Sequence, residues 1–159
     1  MRARIIAGVI GSAVMLGSCG GRQAVEINPD AQSMAIRWNG TLSAPTELAG
    51  VSDIRGQAWM AADPKDAGQT RAHAQISNAV PGGVHPWHVH RGQCGSDQGI
   101  LGPADAYKPL EVEGNGRAVT DAQLRLPLPK TGDFFVSVHA SARNMRTIVA
   151  CGNLAPPAR

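Results

Sequence analysis

The sequence predicts an all-β domain. Three observations carry this. Short runs of alternating apolar and polar residues recur along the chain. Turn-forming clusters separate them: Asn39-Gly40, Asp63-Pro64, Pro81-Gly82-Gly83, Gly114-Asn115-Gly116 and Thr131-Gly132-Asp133. No long segment sustains a helical period, and nineteen glycines with eleven prolines suit tight turns.

The first elements are not part of that domain. Met1-Arg-Ala-Arg4 is basic, Ile5 to Leu16 is apolar, and Leu16-Gly17-Ser18-Cys19 ends in small residues. This is the layout of a secretory signal, too short for an ordinary transmembrane helix. Leu-Gly-Ser-Cys resembles the bacterial lipobox. That resemblance implies cleavage before Cys19 and a lipid on its thiol. The alternative is plain signal cleavage with Cys19 left as a spare thiol. The expected organisation is a signal over residues 1–18, a polar tether over 19–33 and a β domain over 34–159. The expected place is a bacterial envelope, anchored by lipid and facing the periplasm. Gly20 behind the lipid cysteine favours the outer membrane.

Strands are expected over Ala35 to Leu42, Gly56 to Ala62 and Arg71 to Val80. The last alternates cleanly, with Ala72, Ala74 and Ile76 against Arg71, His73, Gln75 and Ser77. His85 to Cys94 comes next. If it is extended, His88 and His90 share one face while Trp87 and Val89 enter the core. Gly95 to Tyr107 lacks a strand pattern and reads as a loop packed against the site. Gly116 to Leu128 alternates again. Phe134 to His139 is a further strand, ending in a third histidine. Three imidazoles from two strands suit copper or zinc. Three partly exposed surface histidines are the alternative.

Charge gives no argument for nucleic-acid binding. The formal net charge is +3. Arg2 and Arg4 fall in the signal, so the mature chain carries a net of only +1. Aromatics are too few for a base-stacking surface. No serine lies in a nucleophile-elbow pattern, no spacing indicates a carboxylate pair, and there is no phosphate-binding glycine loop.

His85-Pro-Trp-His88-Val-His90, with Cys94 behind it, resembles the His-Gly-Phe-His-Val-His segment of Cu/Zn superoxide dismutases. Phe135-Val-Ser-Val-His139 resembles that family's late copper-ligand strand. Val149-Ala-Cys151-Gly152 resembles its final Ala-Cys-Gly. The resemblance runs from about Gln69 to Leu154. It implies an antiparallel Greek-key β-sandwich or flattened barrel. It implies copper at His88, His90 and His139, and a Cys94–Cys151 disulfide, which an oxidising compartment permits. Two free thiols are the alternative. His85 matches a histidine beside the copper ligands that orients its neighbours. The rival role is a fourth ligand, resisted by the stiff Pro86. His73 has no counterpart and reads as a surface residue.

The departures are as informative. No histidine lies between His90 and His139. The family's bridging and zinc-binding histidines are therefore missing, and Asp97, Asp105 and Asp121 cannot replace them. A zinc site of the family type is not expected. Only eleven residues separate His139 from Cys151, where the family carries a longer loop that steers superoxide. The family's arginine beside copper is Ile148 here. Arg146, two residues earlier, is on the same face if the segment is extended, and Arg143 is a weaker candidate. Solvated surface arginines are the alternative. The resemblance leaves two functions in view. One is a copper-only enzyme acting on superoxide. The other is a protein that holds or delivers the copper ion without turnover. A metal-free β domain used for protein contacts is a third reading, and no protein partner is indicated.

Overall fold

Apolar residues at alternate positions, alanine prominent among them as in Ala58, Ala72, Ala74, Ala118 and Ala122, give each strand one face to bury. The computed structural model describes residues 36–157. The signal over 1–18, Cys19 with its expected lipid and the tether over 19–33 lie outside the described residues. Among the described residues, no helix is long and apolar enough to cross a membrane.

Ten strands form among the described residues, in chain order: β1 Trp38–Ser43, β2 Arg55–Ala62, β3 Thr70–Ser77, β4 Val84–His85, β5 Trp87–Gln93, β6 Ser96–Ile100, β7 Leu110–Glu111, β8 Ala118–Leu124, β9 Phe134–Ser141 and β10 Asn144–Leu154. Eight of them make one curled antiparallel sheet, a half-barrel, in the order β6-β5-β9-β10-β1-β2-β3-β8. β4 and β7 pair separately. The chain leaves β3, runs through β4 to β7, and returns as β8 beside β3. It then crosses to β9, between β5 and β10. These crossings have Greek-key character. The fold class is thus all-β, as the alternation predicts.

One buried cluster joins the sheet's inner face. Trp38 packs edge-on against Phe134, centroids 5.1 Å apart, and its indole N–H donates to the Pro129 carbonyl at 3.0 Å. Trp87 packs edge-on against Tyr107 at 5.2 Å and donates to the Lys108 carbonyl at 2.8 Å. Tyr107 donates in turn to the Leu101 carbonyl at 2.6 Å. Each large aromatic thus buries its ring and keeps its polar atom bonded.

The stretch from Gly95 to Tyr107 corrects the sequence reading. It is not all loop: β6 pairs with β5, and a 3-10 turn covers Ala104–Ala106. β6 is an edge strand whose first four residues are exposed, so it has no buried face to impose alternation. Pro86 also separates β4 from β5, dividing a stretch read as continuous.

Cys94 and Cys151 form a disulfide, with Cα atoms 6.1 Å apart. Cys94 comes directly after the last residue of β5, and Cys151 lies in β10 opposite Ser137 of β9. The backbone N–H of Cys94 also donates to the Asn153 side chain at 2.8 Å. The bridge ties the end of the histidine strand across the sheet.

Candidate metal centre

Strand alternation places the histidines. On β5, Trp87 and Val89 are fully buried in the core, and His88 and His90 face the other way. On β9, Phe134, Val136 and Val138 take the core side, leaving Phe135, Ser137 and His139 on the opposite face. The register sets His88 opposite Ser137 and His90 opposite Phe135. His139 lies two residues beyond Ser137, and its backbone N–H donates to the Pro86 carbonyl at 2.8 Å.

This register brings the three predicted histidines together. One nitrogen from each of His88, His90 and His139 lies within 4.8 Å of the others, and all three residues are buried. Such a group could hold a metal ion. Ring centroids are 5.7 Å apart for His88 and His90, 5.5 Å for His88 and His139, and 6.4 Å for His90 and His139. His90 stacks on Phe135 at 5.0 Å, and His88 meets the Tyr107 ring edge-on at 5.2 Å.

Two features fit a cation rather than a packed core. Nδ1 of His88, Nδ1 of His139 and Nε2 of His85 are buried without a hydrogen-bond partner among the described residues. Buried polar atoms are normally paired, so these need an explanation. In addition, burial pushes His88 down to about 4, with smaller help from the charges of His139 and His90. Burial also lowers His139, against the backbone of Met145 beside it. Both rings are therefore neutral at pH 7, the form that offers a lone pair.

Two supporting residues escaped the sequence reading. Asp97 Oδ1 lies 2.9 Å from His90 Nδ1. The Gly99 N–H bond to Asp97 is the main cause that lowers this carboxyl below its usual range, and His90 adds to it. An ionised carboxylate only accepts, so His90 carries its proton on Nδ1 and leaves Nε2 free as a ligand atom. Ser137 is the second: its hydroxyl lies 3.0 Å from His90 Nε2 and 3.1 Å from His139 Nε2. Ser137 had a signal available, a polar residue two positions before a candidate ligand in an apolar strand. Asp97 had none, because its reach depends on an irregular β5–β6 register beside His90. Gly92 permits it: φ is 97°, and a Cβ there would collide with the Ser96 carbonyl oxygen.

His85 is buried on β4, and its Nδ1 lies 2.9 Å from the His139 backbone oxygen. Among the described residues, only His88, His90 and His139 form the ligand cluster. His85 Nε2 lies beside Gly83, 2.9 Å from where a Cβ would stand there. The side chains of Arg146 and Arg143 are exposed. The expected face-sharing of Arg146 with Ile148 assumed regular alternation, but the β9–β10 register is irregular between Asn144 and Ile148. His73 is held on the outer face, stacked on Trp59 at 5.0 Å and 2.8 Å from Asp121.

The fold and the site define an all-β protein with a buried three-histidine group able to take a metal ion. Neither a family model nor a curated protein matches the chain.

Proposed function

We propose that this chain is a copper-binding, superoxide dismutase-like lipoprotein of the bacterial envelope, held to the membrane by a lipid on Cys19. The carrying observation is the convergence of His88, His90 and His139 on one face of β5 and β9. Imidazoles suit both common oxidation states of copper, and zinc cannot cycle between two. Bound copper would supply one-electron exchange. Two superoxide anions and two protons would then give dioxygen and hydrogen peroxide.

The chain's own residues have defined parts in this reading. His88, His90 and His139 bind the ion. Asp97 fixes the tautomer of His90. His85 positions His139, since its Nδ1 is engaged by the His139 carbonyl. Protons come from solvent, because the family's bridging histidine has no equivalent. Arg146, if it swings to the site, holds the anion.

A second reading is favoured by the β9–β10 connection. Only Ala142 and Arg143 separate these strands, so no long charged loop gathers superoxide there. The protein then holds or delivers copper without useful turnover. One experiment separates the readings. Copper is counted per chain, and superoxide decay is followed by pulse radiolysis with H139A as control. One copper with fast decay that H139A abolishes supports the dismutase. One copper with decay no faster than H139A supports the copper carrier. No copper uptake overturns both.

A further inference from the structure

Two candidate ligand atoms converge on one hydroxyl. Ser137 Oγ is 3.0 Å from His90 Nε2 and 3.1 Å from His139 Nε2, and the residue is only 1 % exposed. It stands directly opposite His88 in the β5–β9 register. Its backbone is already placed by the ladders to His88 and Cys151, and its neighbour on the same face, Phe135, is apolar. A buried hydroxyl is unfavourable here unless something uses it.

The hydrogen bonds explain the metal-free protein alone. His90 has its proton on Nδ1, toward Asp97, so the Ser137 hydroxyl donates to His90 Nε2. Its oxygen then accepts from His139 Nε2–H. Holding an ion through both Nε2 atoms requires the His139 proton to move to Nδ1, its unpartnered nitrogen, and Ser137 then loses both partners together. A buried hydroxyl left unpaired is unfavourable, and the oxygen's own lone pair facing the ion relieves this.

Resting on the copper reading, we infer that Ser137 Oγ is the fourth donor of the site, making a set of three nitrogens and one oxygen. The distances fit. Bonds of about 2.0–2.1 Å, the zinc–imidazole length taken as a guide, place neighbouring donors of a tetrahedral set about 3.3 Å apart. The observed 3.0 and 3.1 Å are near that edge length. A hard oxygen donor favours the divalent over the monovalent ion.

The test uses the full-length protein with copper as the only added metal, comparing wild type, S137A, S137T and H139A. Affinities for Cu(II) and Cu(I) are measured by chelator competition, and the Cu(II) site by electron paramagnetic resonance. S137A is expected to weaken Cu(II) at least tenfold, to change Cu(I) less than threefold and to alter the spectrum. S137T keeps the hydroxyl and is expected to restore all three. A readout without any variant is electron–nuclear double resonance on wild type carrying serine deuterated at Cβ, where a deuterium coupling to copper is expected. The assignment is overturned if S137A matches wild type, if it weakens both oxidation states equally, or if no deuterium coupling is seen. The copper reading itself stands or falls separately, on one copper in wild type that H139A loses. If wild type takes up no copper, both are overturned.

Discussion

Asp97 holds His90 by its Nδ1 at 2.9 Å, and so decides which nitrogen of that ring faces the other two histidines. A carboxylate behind a ligating imidazole fixes its tautomer and raises its basicity. D97A is expected to lose about 10–100-fold in metal affinity. D97N keeps an accepting oxygen but not the charge, and is expected to fall between D97A and wild type. Chelator competition measures all three, and equal affinities would remove Asp97 from the site.

His88 contributes to the pH dependence of stability, as do the lowered His139 and Asp97. The His88 value in the folded chain is about 4, below the ordinary 6.5. The unfolded chain therefore binds a proton in that interval and the folded chain does not, so acid favours unfolding. The contribution is complete above pH 6.5 and is lost as pH falls through about 4. Its size is at most about 3 kcal/mol, reduced by solvent screening of the ring. Asp97 is also lowered and works in the same direction at lower pH. Urea unfolding between pH 7 and pH 4 checks this, and H88Q is expected to flatten the profile. The same sign applies to metal, since a protonated imidazole offers no lone pair, so binding weakens toward pH 4.

How much of this was legible depends on how local each feature is. His88, His90 and His139 were legible because a period of two assigns faces without knowledge of partners. The Cys94–Cys151 bridge was legible only through the resemblance, since three cysteines alone allow several pairings. Asp97 was not legible, because its role is created by a hairpin with an irregular register at Gly92. β6 was hidden because its exposed side chains carry no alternation. Ser137 was visible as a polar residue in an apolar strand, but its meaning needs β5 laid beside β9.

The disulfide spans 57 residues of sequence. The chain-entropy account assigns a loop of that length about 4 kcal/mol of stability. C94S/C151S is expected to lose about that much in urea unfolding. The site histidines on β5 and β9 are also held by their own ladder. Copper stoichiometry is therefore expected to persist in the double variant below its unfolding midpoint. Loss of copper from a still-folded variant would mean that the bridge, not the ladder, sets the spacing of the histidines.

His85 separates positioning from ligation most sharply. Its Nδ1 engages the His139 carbonyl, and its Nε2 lies against Gly83. A side chain so held anchors the backbone that carries His139. H85A leaves a buried carbonyl without that donor, at a cost of about 1–3 kcal/mol. Copper is expected to remain at one per chain, with affinity reduced less than tenfold, because the three ligand nitrogens are untouched. H85Q, which can supply an N–H, is expected to recover part of the stability. A fourth ligand would behave differently: H85A would then lose as much affinity as H139A and change the copper spectrum. Such a result would require Nε2 to leave Gly83 and join the other three histidines, outside whose cluster it lies. The stiff Pro86 between β4 and β5 resists that movement, so the positioning role is the outcome expected.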